Sequence, residues 1–248
     1  MFLINISNVA AFYALCCLLG SFSCFHYTSA VPLSNGQRTE KLYADFSDVP
    51  GTGPDLISGV LPLPVYKHLK YTPFNLGASP LGGSGPINIF PINGTAPYAI
   101  ARFILADLLT PLPTITASYE GSDINKFSLH SLNFHCSTTM AGPVPMSLLI
   151  DCTLKFTSYL PSSNGGKGAQ GGSMEVRFVP LPGGETPIIQ VRKSPQAFAN
   201  FGNELEGAGT VEIEYVRAST IGLIGGIPIP ANLVFIALDN LNYTVFYK

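Results

Sequence analysis

Two histidines five residues apart, His130 and His135, are the first side chains that could do metal chemistry in this chain. On a regular strand an i,i+5 pair points to opposite faces. One inserted residue would bring both to one face, yet no third ligand follows, and a catalytic zinc takes three protein ligands. Nucleophile chemistry fares no better. Gly82-Gly83-Ser84-Gly85-Pro86 departs from G-x-S-x-G at its last position. Gly166-Lys167-Gly168-Ala169-Gln170-Gly171 does match G-x-G-x-x-G. A phosphate cradle needs a strand before it and a helix after it. Here a strand is expected to follow, so the segment reads as a flexible strand connection. What remains is binding chemistry. Sugar rings stack on aromatic faces while amides and carboxylates bond their hydroxyls. Tyr66, His68, Tyr71, Tyr119, Tyr159 and Asn164 fall near expected loops or strand ends and would suit a glycan site. The chain has no Trp, the best stacking residue. The plainer reading of the same aromatics is core or edge packing.

The cysteines and sequons point to export. The first 30 residues carry no Lys, Arg, Asp or Glu, and Val9 to Phe25 is apolar. Thr28-Ser29-Ala30 then offers small residues for cleavage, so residues 1–30 read as a secretory signal peptide. An uncleaved anchor is the alternative, but the apolar run is short for a spanning helix. Cys16, Cys17 and Cys24 fall in that leader, leaving Cys136 and Cys152. An oxidising route makes one disulfide between them the simplest expectation, with two separate buried thiols as the alternative. Asn93-Gly94-Thr95 and Asn242-Tyr243-Thr244 are N-glycosylation sequons, while Asn5-Ile6-Ser7 lies in the leader. Ile221 to Leu238 is apolar, but Pro228 and Pro230 would break a spanning helix. The expectation is therefore a secreted, extracellular protein with no membrane span after signal cleavage.

The elements that must position these groups are strands. Lys+Arg number 13 against 15 Asp+Glu, so no basic footprint points to nucleic acid. Hydrophobic residues make up 46% of the chain, with 25 Gly and 21 Pro, which suits many short strands joined by turns. Residues 31–40 read as a loose lead-in and 41–248 as one domain. Lys41 to Phe46 is the first expected strand, and Val65 to Phe74 a turn and strand. Leu76 to Pro97 and Pro161 to Ser173 read as loops. Phe198 and Phe201 read as part of a connecting segment. In Lys126 to Cys136, Phe127 and Leu129 share one face, while Leu132, Phe134 and Cys136 share a face in the opposite phase. A period-2 pattern changes phase only through an extra residue, so a bulge is expected near His130-Ser131. Leu233 to Tyr247 repeats the argument. Val234, Ile236 and Leu238 give way to Leu241, Tyr243, Val245 and Tyr247, placing a second bulge at Asp239-Asn240. Asn242 then falls on the outer face.

In order along the chain stand Asp45-Phe46-Ser47-Asp48, Pro64 to Asn75 (PVYKHLKYTPFN), Phe127 to Cys136 (FSLHSLNFHC), Cys152 to Tyr159 (CTLKFTSY) and Asp239 to Val245 (DNLNYTV). This series resembles a group of secreted proteins of filamentous fungi with a galactose-binding-like domain. Ser158 stands where that pattern often has Gly, and the 161–173 segment is longer, which alters any binding rim. The resemblance implies an all-β fold, a single jelly-roll β-sandwich, over Lys41 to the C-terminus. It also implies one structural calcium ion where the first and last strands meet, with Asp45, Asp48 and Asp239 as ligands. Calcium takes several oxygen ligands, including carboxylates. Without an ion, Asp48 would start a turn and Asp239 would accept backbone bonds at its bulge. The expected role is non-catalytic binding of a cell-wall or other glycan. The alternatives are an effector-like protein that binds a host or cell-surface protein, and an enzyme built on a β-sandwich scaffold.

Overall fold

The alternating apolar runs do form strands. In a computed structural model the described residues are 36–49, 61–63, 65–77, 98–104, 111–140, 146–164, 166–180, 197–218 and 233–248. The chain divides into two units, Met1–Gly36 and Gln37–Lys248. Of the first, only Gly36 is described, so the expected signal peptide lies outside the described residues, as does the Asn93 sequon. Among the described residues no helix is long and apolar enough to cross a membrane. The strands are β1 (Thr39–Ala44), β2 (Leu61–Pro62), β3 (Val65–Tyr66), β4 (Leu69–Thr72), β5 (Asn75–Gly77), β6 (Tyr98–Ile104) and β7 (Thr114–Thr116). They continue with β8 (Ile124–Met140), β9 (Met146–Leu149), β10 (Cys152–Pro161), β11 (Lys167–Phe178), β12 (Ala197–Asn200), β13 (Thr210–Ala218) and β14 (Leu233–Tyr247).

Two antiparallel sheets hold these strands. One runs β12-β8-β14-β6-β5-β2, with β1 on β14 and β9 on β8; the other runs β11-β10-β13-β7-β4-β3. Their inner faces share one core. Phe127, Leu129, Phe134, Leu238, Tyr243 and Val245 come from the eight-stranded sheet, and Leu69, Ile115, Leu154, Phe156, Val211 and Ile213 from the six-stranded one. Burying each such side chain contributes roughly 1.5–3 kcal/mol, so this core is the main support of the fold. The Phe134 and Phe178 rings meet across the two sheets at 6.4 Å. The disulfide Cys136–Cys152 joins β8 to β10 within the core. The sequence expectation of an all-β protein with one disulfide therefore holds.

Both expected bulges are present, and they adjoin. Asp239 faces Asn133, then Asn242 faces Ser131, so β14 carries one extra residue. The next pair is Tyr243 with Leu129, so β8 carries its own extra residue at His130. Asn240 adopts a left-handed backbone, φ 55°. Each insertion switches its strand's inward set, and the two switches together keep apolar facing apolar.

Three expectations need correction. Thr39 and Glu40 belong to β1, not to a loose lead-in: they pair with Phe246 and Val245. Phe198 lies in β12, paired with Asn133 on β8, not in a connection. Residues 167–173 are strand β11, not a flexible loop, and contain most of the G-x-G-x-x-G match. The glycines there serve close approach. A Cβ on Gly168 would meet the Leu160 carbonyl oxygen, one on Gly171 the Ser158 hydroxyl, and one on Gly172 the Glu204 carbonyl oxygen.

Candidate ligand-binding face

The expected calcium ligands gather near one turn, but around a lysine. β3 and β4 are joined by Lys67-His68, with φ of 45° and 67°. A two-residue hairpin turn of type I′ requires positive φ at both positions. Neither residue favours that region, so tertiary contacts must hold the turn. Lys67 Nζ donates to the Tyr43 carbonyl at 2.8 Å. It lies 3.9 Å from Asp45 Oδ1 and 3.7 Å from Asp48 Oδ2. The Tyr243 hydroxyl donates to the Lys67 carbonyl at 2.7 Å. Phe46 and Asn240 are the other non-glycine residues with left-handed φ among the described residues, and both adjoin this cluster.

The Lys67 ammonium thus sits between the Asp45 and Asp48 carboxylates and offsets part of their charge. Among the described residues no three His, Cys, Asp or Glu side chains are placed to hold a metal ion. Asp239 lies at the β14 bulge and accepts the Asn240 N–H at 2.7 Å. Burial pushes its pKa up to about 7, and the Asp45 carboxylate pushes the same way against the Asn240 hydrogen bond. Asp45 and Asp48 thus flank Lys67, while Asp239 bonds the Asn240 N–H. His130 Nε2 contacts Thr244 Oγ1 at 2.8 Å, whereas His135 is buried, so the two histidines do not form a metal pair either.

The aromatics expected to stack on sugar separate into three groups. Tyr66 and Tyr71 are buried, which corrects the expectation that they face a ligand. Tyr66 packs on Phe46 and donates its hydroxyl to Asp48, while Tyr71 lies edge-on to Phe46 and Phe74. His68 and Tyr119 are half-buried beside the same turn, where the Tyr119 hydroxyl reaches the His68 carbonyl at 3.5 Å. His68 Nδ1 lies 3.4 Å from Asp123 Oδ1 and its Nε2 3.5 Å from the Tyr247 hydroxyl. Tyr159 and Asn164 belong to the β10–β11 hairpin instead. There Lys167 sits over the Tyr159 ring at 5.1 Å and pairs with Glu212. These six residues make no single platform.

A better platform lies on the outer face of the eight-stranded sheet. Residues directly opposite in an antiparallel pair share a face, so register alone places them. Tyr43 on β1 faces Asn242 on β14, Asn242 faces Ser131 on β8, and Ser131 faces Asn200 on β12. In the adjacent row Asp239 faces Asn133, which faces Phe198. Tyr43 is 52% exposed and Phe198 67%, whereas the alternate residues Ala44 and Ala199 are buried. The Tyr43 hydroxyl is fixed by donation to Asn240 Oδ1 at 2.5 Å. The face thus offers two open rings and a floor of amides and hydroxyls. At its border Asp239 is 4% exposed, and the neighbouring outward residues Ala237, His135, Phe235 and Ser137 are all buried.

Sequence reasoning placed Asn242 on an outer face but passed over Tyr43, Asn133, Phe198 and Asn200 as site residues. One signal could have found Tyr43: an aromatic ring in the polar phase of β1, between Leu42 and Ala44. The row itself depends on β12 pairing with β8, which no local pattern announces. Compared with protein-family models, with curated proteins and with solved structures, the chain matches none.

Proposed function

We propose that this chain is a secreted, non-catalytic saccharide-binding protein of the galactose-binding-like jelly-roll type. The row Tyr43–Asn242–Ser131–Asn200, flanked by Phe198, carries the reading. Saccharides present apolar ring faces and equatorial hydroxyls together. Two exposed rings beside short amide and hydroxyl side chains complement both. Burying one such ring against a ligand contributes roughly 1.5 kcal/mol or more. Retention of the folded protein on a panel of plant and fungal polysaccharides tests this. Saturable retention on one polymer is expected, with a loss of about tenfold in affinity for Tyr43→Ala and for Phe198→Ala, since tenfold is 1.4 kcal/mol. Retention unchanged in both variants would overturn the assignment to this face.

A second reading is favoured by one observation. Phe198 stands exposed on β12, and among the described residues β12 is paired along one edge only, by β8. An extended segment of a host or cell-surface protein could add to the other edge. A folded protein that no polysaccharide retains would turn the search to such a partner.

A further inference from the structure

The sequon at Asn242 lies in the middle of the proposed saccharide face, and this position bears on what the face holds. Asn242 is exposed, and its cross-strand partner is Tyr43. Paired side chains start about 5 Å apart, within reach of a sugar ring attached to one of them. The Tyr43 ring is held by its bond to Asn240, so it is set in place before any ligand arrives. Thr244, the third sequon residue, lies on the same outer face.

We infer that the first saccharide seated on this face is the chain's own N-linked glycan at Asn242, stacked on Tyr43, and that it screens the face from free polysaccharide. The attachment is a group transfer. The Asn242 amide nitrogen forms a bond to C1 of the first sugar of a lipid-linked oligosaccharide pyrophosphate. The C1–O bond to the pyrophosphate breaks, the lipid pyrophosphate leaves, and one amide proton passes to solvent. No oxidation or reduction occurs. Tethering then does the rest. A group on a short flexible link has an effective concentration of about millimolar or more, enough to fill a weak saccharide site. The screening rests on the saccharide-face reading. The seat on Tyr43 has a readout of its own.

The full chain is made in a eukaryotic secretory host, with Asn93→Gln leaving one sequon, and again in a bacterial periplasm without glycosylation. Intact mass gives occupancy, and tetranitromethane followed by peptide mapping gives the nitration rate of Tyr43. We expect Asn242 to be occupied and Tyr43 to be nitrated several-fold more slowly in the glycosylated protein. Trimming the glycan to its first sugar should keep that protection. The glycosylated form should also bind its polysaccharide about tenfold more weakly, as an intramolecular competitor at about nine times its own dissociation constant would impose. An unoccupied Asn242, or Tyr43 equally reactive in both forms, overturns the inference. Equal polysaccharide binding by both forms overturns the screening. A protected Tyr43 with no polysaccharide bound by either form upholds the seat and defeats the free-ligand reading alone.

Discussion

Asp239 and His135 lie on adjoining strands and answer pH in opposite directions. Burial raises the Asp239 carboxyl from 3.8 to about 7, with Asp45 adding to the effect. Burial lowers the His135 imidazole from 6.5 to about 4. The folded protein keeps a proton on Asp239 that the unfolded chain gives up above about pH 4. That contribution to stability is therefore full in acid and lost as pH rises through 7. His135 behaves conversely: the unfolded chain takes up a proton below 6.5 that the folded protein refuses, so stability falls as pH drops from 6.5 toward 4. Between about pH 4 and 6.5 the two offset one another. Asp239→Asn should unmask His135. Urea unfolding at pH 4.5, 6 and 8 should show the variant gaining on the native chain at pH 8 and losing stability steadily below 6.5. Parallel profiles for the two proteins would show that Asp239 does not hold its proton. Little of this was legible in the sequence. The residue type and the bulge could be read at Asp239, but its burial and the Lys67 ammonium between Asp45 and Asp48 depend on distant parts of the chain.

Elements were legible where the apolar phase speaks for itself. In β8 and β14 the inward set changes parity, and a change of parity has only one cheap physical cause, so both bulges could be placed from sequence. The first half of β11, residues 167–173, was not legible because its glycines imitate a linker. Glycine has two uses, conformational freedom and absence of a side chain, and composition does not say which one is in force. Here the second is. A methyl group at Gly172 would collide with the Glu204 carbonyl, whereas nothing lies within 4 Å of one placed on Gly166 in the same hairpin. Gly172→Ala should therefore cost about 1–3 kcal/mol, in the range of an overpacked site. Gly166→Ala should be close to neutral. Urea midpoints at constant slope separate the two, and equal effects would mean that β11 does not touch the 202–207 turn as described. β12 escaped notice for a different reason. Four residues, Ala197–Asn200, are too few for a pattern, and only the edge of β8 makes them a strand.

At the scale of the molecule, the class of fold and its crosslink were both legible, because each follows from composition: turn residues among short apolar runs, and one cysteine pair outside the expected leader. The pairing of strands into sheets was not, since among the described residues eight of the twelve antiparallel pairs join strands that are not neighbours in sequence. The disulfide spans 16 residues and joins the two sheets. Its loss should destabilise by about 2–5 kcal/mol, read as a lower urea midpoint in the Cys136→Ala/Cys152→Ala double variant. With both cysteines buried, a mild reductant should leave the folded protein unchanged and act only once denaturant opens the core. Prompt reduction without denaturant would show the bridge to be accessible. One arrangement reaches beyond stability. β14 has β8 along one side and β6 followed by β1 along the other, so the middle of the eight-stranded sheet is built from residues 233–247 while one flank is built from 39–44. A nascent chain cannot close that sheet until residue 247 has left the ribosome. Until then β1, β6 and β8 wait with unpaired edges, and their contacts are among the most distant in sequence that the chain makes. Such topologies fold slowly and are exposed to misassembly meanwhile. Closure of this sheet therefore waits on its last strand, and the strands made earlier stay open to wrong pairing until that strand emerges.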